Sequence, residues 1–260
     1  MSFKNYLSKS VFTFKISQNL KSWISLLVNS KRYSARFEKN NLDLKDNETF
    51  IYHIKTEGKK INLYLRTFKG DLGIFYEIFW KKTYAGHLSE IKKQPKIIVD
   101  LGAHIGMTSI YLSLKYPDAK IYAVEASAEN FELLKVNTDS FKNIVCLNAA
   151  AYFEDGFVNF SSDALSYNHK ISEEGISTQA ISIETLKMNF EISHIDLMKI
   201  DIEGGEIDLL SKQNSWLSKI DNIIIEIHHP YTSSDLNEDL KPFDFIIKRD
   251  EDSVLTLTKS

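Results

Sequence analysis

Alternation of short apolar runs with helical stretches predicts an α/β fold, a doubly wound and mostly parallel sheet, for the larger part of this 260-residue chain. Three observations carry that prediction. Beyond Pro95, the apolar runs at 97–99, 121–124, 144–147, 195–200 and 223–227 are short and uninterrupted, as parallel strands covered on both faces require. Between them lie stretches with helical spacing, the rhythm of strands joined by crossover helices. Near the end, strands at 243–248 and 253–258 are separated by the polar turn 249–252, too short for a crossover helix, which predicts an antiparallel hairpin at one sheet edge.

The elements follow in order. Residues 1–40 are predicted to be a basic, amphipathic helical extension. Phe3, Tyr6, Leu7, Val11 and Phe14, then Ile16, Leu20, Trp23, Ile24 and Leu27, recur at three- and four-residue spacing and fall on one side of a helix or helix pair. Residues 1–39 hold eight Lys or Arg against one acid, Glu38, so this segment carries +7 while the remainder carries −10. A basic arm on an acidic body reads as a contact element. Its apolar stripe is expected to pack on the main domain or on a second subunit in a homodimer; shallow docking on an anionic membrane surface is the alternative. No nucleic acid is expected as partner, because the acidic body would repel phosphates.

Residues 41–94 read as a small pre-domain. Strands at 50–55 and 61–67 flank the Glu57–Gly58 turn, and a helix over 73–82 ends near Gly86. Residues 95–260 form the main domain. With 43% hydrophobic residues the chain can bury one substantial core without a metal or disulfide. Cys146 is the only cysteine, which rules out an intramolecular disulfide and a cysteine-rich zinc site. Apolar stretches stay below the roughly 18–20 residues that span a bilayer. The expected location is cytoplasmic, with a peripheral position at the inner membrane surface as a variant.

In an open parallel sheet, ligands bind beyond the carboxyl ends of the strands near the switch in strand order. The first run ends in "VDLGAHIG", which supplies Asp100, Gly102, Ala103, His104 and Gly106. Gly102 permits a turn that other residues resist, and Gly106 is expected to let the next helix approach strand and ligand, with its N-terminus facing an anion. Glu125 closes the second run, 19 residues after Gly106, where an acid accepts both hydroxyls of a ribose. The pair indicates a nucleoside-containing ligand. Dinucleotide turns carry three glycines so that pyrophosphate can touch backbone, whereas here the spacing is D-x-G-x-x-x-G. That pattern fits S-adenosylmethionine better: nearby acids suit its ammonium and sulfonium charges. Asn148, Ala149 and Ala150 follow the third run, where small residues leave room for adenine. Lys199, Asp201 and Glu203 alternate along one face of the fourth strand end, before Gly204, Gly205 and Glu206. Glu226 and His228 do the same on the fifth. Lys199 is expected to pair with Glu226, and Asp201 to meet His228 at the rim.

The blocks "VDLGAHIG", "VEAS…ENFELLKVN", "LNAA", "KIDIEGGE" and "IIIEIH" fall in an order and spacing that resembles the FkbM family of class I methyltransferases, and the upstream "DLGIFYEIFWKKTYAG" resembles its lead-in. The likeness covers roughly residues 70–260 and leaves the basic arm outside. It implies a seven-stranded, Rossmann-like sheet, S-adenosylmethionine as cofactor, and methyl transfer to a hydroxyl on a sugar, glycan or natural-product acceptor. His104, where the family commonly has Asn, and "AAAYFEDG", which lacks the glycine that often follows the "NAA" block, depart from its pattern.

The cofactor set is then Asp100, Gly102, Ala103, His104, Gly106, Glu125, Ala126, Asn148 and Ala149. Asp100 is expected to orient the methionyl end, or else to cap its own turn. Asn148 bonds the adenine region or satisfies strand-end backbone. The methyl group is already activated by the sulfonium, so alignment and removal of the acceptor proton remain. Asp201 and His228 are the leading catalytic pair, the acid orienting an imidazole that accepts the proton. A structural cluster of Lys199, Glu226, Asp201 and His228 is the alternative, and Mg²⁺ held by Asp201, Glu203 or Glu206, and Glu226 is a third possibility. N-methylation of a small amine, or an accessory protein that binds the cofactor without turnover, are the competing functions. The polar stretch 161–175, with Asp163, Tyr167 and His169, is expected to be a lid on the acceptor side.

Overall fold

A computed structural model describes residues 3–37, 48–160, 171–172, 175–251 and 253–259. They fall into two compact units that divide between Lys82 and Thr83.

The first unit opens with helices α1 (Phe3–Ile16) and α2 (Leu20–Phe37), followed by strands β1 (Thr49–Thr56) and β2 (Lys59–Arg66) in an antiparallel hairpin. Glu57 and Gly58 form its turn with positive φ of 47° and 77°, the left-handed twist that a tight hairpin requires. Helix α3 (Asp71–Tyr76) runs into a π-helical turn, Glu77–Lys81. Its first residue, Asp71, is buried and accepts from the Arg66 backbone N–H at 2.8 Å and from the guanidinium Nε and Nη2 at 2.9 Å each, so the buried charge is met on both oxygens. Polar side chains of α2 reach the hairpin. Ser22 Oγ accepts from the His53 N–H at 2.9 Å, and Asn29 Nδ2 donates to the Tyr52 hydroxyl at 2.8 Å.

The second unit begins with α4 (Thr83–Ser89) and continues as a seven-stranded sheet of order β12-β13-β11-β10-β3-β4-β5. Strands β3 (Ile97–Leu101), β4 (Lys120–Glu125), β5 (Ile144–Asn148), β10 (Ile195–Ile200) and β11 (Ile220–Glu226) are mutually parallel. The antiparallel hairpin β12 (Phe245–Glu251) and β13 (Val254–Lys259) closes the β11 edge, as the short polar turn predicts. Helices α5 (Met107–Lys115), α6 (Ala128–Thr138), α7 (Ile183–Asn189), α8 (Glu206–Ser211) and α9 (Ser233–Leu240) fill the connections. Their starts are set by the sequence: Ser127 caps α6, Ser182 caps α7, and Thr232 with Asp235 makes a reciprocal capping box on α9. The core lies on the sheet, where Leu101, Met198, Ile200, Leu209 and Ile225 are fully buried.

Strand order reverses between β3 and β10, so the crevice beyond their carboxyl ends is the place for a ligand. A further four-stranded sheet, β6 (Ala150–Ala151), β9 (Ile176–Ile181), β7 (Gly156–Phe160) and β8 (Ile171–Ser172), is inserted before α7. Of the expected lid over 161–175, Ile171–Ser172 belongs to this sheet as β8, and Asp163, Tyr167 and His169 lie outside the described residues. Two of these strands are only two residues long, below the length at which apolar alternation registers.

Candidate functional site

The turn after β3 is held from below. Asp100 is fully buried; its Oδ2 accepts from Ser109 Oγ of α5 at 2.6 Å, and its Oδ1 lies 3.2 Å from the Lys199 ammonium. Lys199 also meets Asp201 at 3.3 Å and donates to the carbonyls of Leu101 (3.3 Å) and Gly102 (2.8 Å). Burial alone would lower the Lys199 pKa, but the carboxylates of Asp100 and Asp201 outweigh it and hold the ammonium above its usual range. The expected pairing of Lys199 with Glu226 is therefore corrected. Register decides the partner: Lys199 aligns with Asp100 on β3 and with Ile224 on β11, two residues short of Glu226. Asp100, expected to orient a cofactor, has no exposed surface and supports the turn from beneath instead.

Gly102 meets the need expected of it, a turn that other residues resist, and Gly106 lets α5 approach closely, here against α6. Gly102 has φ of 74°, and an added Cβ would stand 1.7 Å from the Asp201 carbonyl oxygen, so the turn is pressed against the end of β10. Gly106, at φ 92°, starts α5 hard against α6, with Leu134 Cδ1 and Thr138 Cγ2 at 2.9 and 3.0 Å from where a Cβ would be. In both places the close neighbour is protein. The N–H groups of Gly102 and Ala103 bond to the Val124 carbonyl, joining the turn to β4.

Glu125, at the end of β4, is buried, and burial raises its pKa against the hydrogen bonds it accepts. Its Oε2 accepts from the His104 N–H at 2.8 Å and its Oε1 from the Ser127 N–H at 2.9 Å. His104 itself sits in the left-handed region at φ 51°, so the turn presents its N–H to the acid. A carboxylate offers about four acceptor positions, so these bonds orient Glu125 and leave capacity for ribose hydroxyls. Asn148 stands beside it in register on β5, with its amide donating to the carbonyls of Glu125 (2.8 Å) and Ala126 (3.2 Å). That is the backbone-satisfying role, and it leaves the amide oxygen for a ligand. The adjoining Ala149 is small and buried. An oriented buried acid beside small residues at neighbouring strand ends could hold the nucleoside half of S-adenosylmethionine, Glu125 toward the ribose and Ala126, Asn148 and Ala149 toward the base.

The opposite wall is built by the turn between β10 and α8. Glu203 and Gly204 have φ of 54° and 98°, which folds Glu206 back so that its oxygens accept from the N–H groups of Ile202 (3.2 Å) and Gly204 (2.8 Å). The same fully buried carboxylate takes His228 Nδ1 at 3.0 Å, while His228 Nε2 lies 3.4 Å from Glu203. The acid that orients the imidazole is thus Glu206 rather than Asp201, whose ion pair is with Lys199. Burial alone would lower the His228 pKa, but the Glu206 hydrogen bond and the charges of Glu206, Glu203 and Asp201 prevail and raise it to about 9. Because the folded value lies above the ordinary 6.5, the stability from these ion pairs is complete below 6.5 and is lost as pH rises through about 9. Denaturant titrations across that interval are expected to show a declining midpoint in the wild-type protein and a flatter one in His228→Gln.

Asp201, Glu203 and His228 each offer a donor atom, all within 4.8 Å of one another. This set replaces the Glu226-containing one expected for Mg²⁺. A metal would have to strip the proton from a ring whose two nitrogens already face carboxylates. Tyr84 of α4 is a neighbour the sequence did not single out. Its buried hydroxyl is raised beyond the usual tyrosine range by burial, with the charges of Asp201, Glu226 and Asp100 adding to the effect and Lys199 opposing it. The only signal for it was its place in "TYAG".

Comparison with known proteins adds independent findings. A family model described as the methyltransferase FkbM domain matches residues 100–249. The chain is similar to the hexuronic acid methyltransferase AglP of Haloferax volcanii, 27% identical over 177 residues that cover 65% of this chain and 73% of that protein. It is also similar to the methyltransferase sdnD of Sordaria araneosa, 23% identical over 196 residues, covering 59% and 75% respectively. Among solved structures, a precorrin-6y C5,15-methyltransferase from Geobacter metallireducens superposes with a TM-score of 0.45 at 16% identity, over 69% of this chain and 88% of that one.

Proposed function

Since the chain belongs to the FkbM family of S-adenosylmethionine-dependent methyltransferases, we propose that it methylates a hydroxyl oxygen of a sugar or glycan, with His228 accepting the hydroxyl proton. The likeness to a hexuronic acid methyltransferase carries the sugar assignment. Four acids, Asp201, Glu203, Glu206 and Glu226, lie at the β10 and β11 ends, the first paired with Lys199 and the second and third facing His228. Bound S-adenosylmethionine supplies a methyl group already activated for displacement.

The chain's own residues hold the acceptor and move one proton. Glu206, locked by two backbone N–H groups, fixes the tautomer and plane of His228, so Nε2 is the nitrogen turned toward Glu203 and the reacting side. Once neutral, Nε2 would take the proton of the acceptor hydroxyl, and Glu206 would stabilise the resulting imidazolium. Lys199 pairs with Asp201 and holds the β3 and β10 ends together.

A labelled-methyl assay over neutral sugars, hexuronic acids, amino sugars and lipid-linked glycans tests the acceptor. Label on a hydroxyl oxygen is expected; label confined to nitrogen assigns the amine chemistry that the same acids would attract. The base is tested separately by the pH dependence of kcat/KM, which reports the free enzyme. With His228 as base it is expected to climb about tenfold per pH unit below a midpoint near 9, and His228→Ala to cut turnover roughly 10²-fold with S-adenosylmethionine affinity kept. A flat profile from 6.5 to 9 removes His228 from that role.

A further inference from the structure

The N-terminal helix pair buries Ile16 and Leu26 but also a set of polar side chains. Thr13, Ser22, Asn29 and Ser30 are buried. Ser22 and Asn29 bond to the β1 strand, and Ser30 Oγ lies 2.7 Å from the Tyr76 hydroxyl. These bonds fasten α2 to its neighbours through a polar edge and turn the apolar residues outward. Leu7, Val11 and Phe14 on α1, at i, i+4 and i+7, and Leu20, Ile24 and Val28 on α2, at four-residue steps, are between 46 and 63% exposed. The Phe14 ring meets Trp23 edge-on at 5.3 Å, so the two stripes adjoin where the helices turn. Of the stripe expected to pack on the main domain, on a second subunit or on a membrane, Ile16 is buried within the chain and Trp23 and Leu27 are half-buried; the side chain of Phe3 lies outside the described residues. Lys15, Lys21, Lys31 and Arg32 are exposed around it.

We infer that α1 and α2 dock this protein on an anionic lipid bilayer, with Leu7, Val11, Phe14, Leu20, Ile24 and Val28 entering the boundary between headgroups and acyl chains. Charge complementarity selects the occupant. The segment 1–39 carries +7, and a negatively charged headgroup layer is attracted to its lysines, whose stems can lie along the apolar surface while their ammonium groups stay at headgroup level. A second copy meeting the same patch about a two-fold axis would set +7 against +7. Among the described residues, no helix is long and apolar enough to cross a membrane, so the contact is one of lying on the surface.

Co-sedimentation of the full chain with phosphatidylcholine vesicles containing about one-third phosphatidylglycerol, at about 0.15 M salt, tests this. Binding is expected, weakened at least about tenfold on pure phosphatidylcholine and in about 1 M salt. The pair Phe14→Ser and Ile24→Ser is expected to lower binding about tenfold or more, because apolar insertion is lost, with an unchanged far-UV spectrum. Lys21→Gln with Lys31→Gln is expected to weaken binding on anionic vesicles only. Absence of binding, or binding indifferent to both pairs, overturns the inference. So does a concentration-dependent dimer that Phe14→Ser and Ile24→Ser abolish, which would assign the patch to a second copy.

Discussion

Replacing Lys199 with Met is expected to cost roughly 3–5 kcal/mol of stability, the range for removing one partner of a buried ion pair. The ammonium is what opposes Asp100: the Oδ1 of that fully buried acid makes no hydrogen bond and faces Lys199 at 3.2 Å. Methionine fills similar volume but leaves the carboxylate uncompensated. It also takes the ammonium away from the carbonyls of Leu101 and Gly102, of which Leu101 keeps its bond from the Asp201 N–H. Urea midpoints measure the loss, and calorimetry with S-adenosylmethionine is expected to show affinity falling with it, because the β3 turn is tied to β10 through this lysine. Adding Asp100→Asn to Lys199→Met is expected to recover part of the stability, since the second change removes the stranded charge. If Lys199→Met alone stays within about 1 kcal/mol of wild type, Lys199 is a bystander.

Gly102→Ala is the second large effect expected. A left-handed φ of 74° costs an L residue about 1–2 kcal/mol, and overpacking a closed site adds about 1–3 more. The new methyl would sit 1.7 Å from a backbone oxygen, which no rotamer change relieves. A loss of about 3 kcal/mol or more is therefore expected, seen as a lowered Tm, with S-adenosylmethionine affinity reduced as the turn moves off β10. Gly106→Ala is expected to be milder, because one of its close contacts is the flexible end of Leu134. Equal stability of Gly102→Ala and wild type would mean that the turn does not rest against Asp201.

Much of the candidate site was legible before any coordinates, and the reason is physical. Glycines with positive φ, an acid closing a strand, and charged residues at alternate strand-end positions are local requirements, and they leave local traces in residues 100–106, at Glu125 and from Lys199 to Glu206. Glu206 was visible as an acid after Gly204 and Gly205 but had no role until the turn folded it back onto His228. The inserted sheet was not visible as a unit, because β6 and β8 are only two residues long, too short for apolar alternation to register. The helical arm was legible in its periodicity, but spacing identifies a face and not what covers it: on a second subunit or a membrane the stripe stays exposed in the single chain.

Sequence by itself determined the order of the five parallel strands, the edge hairpin and the place of the glycine turn, because periodicity, capping and turn residues act within a few residues of one another, and its motif blocks carried the resemblance to the family. Tertiary structure alone decided who pairs with whom. Lys199 meets Asp100 because β10 lies between β3 and β11 in that register, and His228 meets Glu206 because one turn reverses the chain. Those contacts join residues up to about a hundred positions apart. Which of several chemically equivalent acids answers a buried cation depends on strand adjacency, and adjacency is a property of the whole sheet.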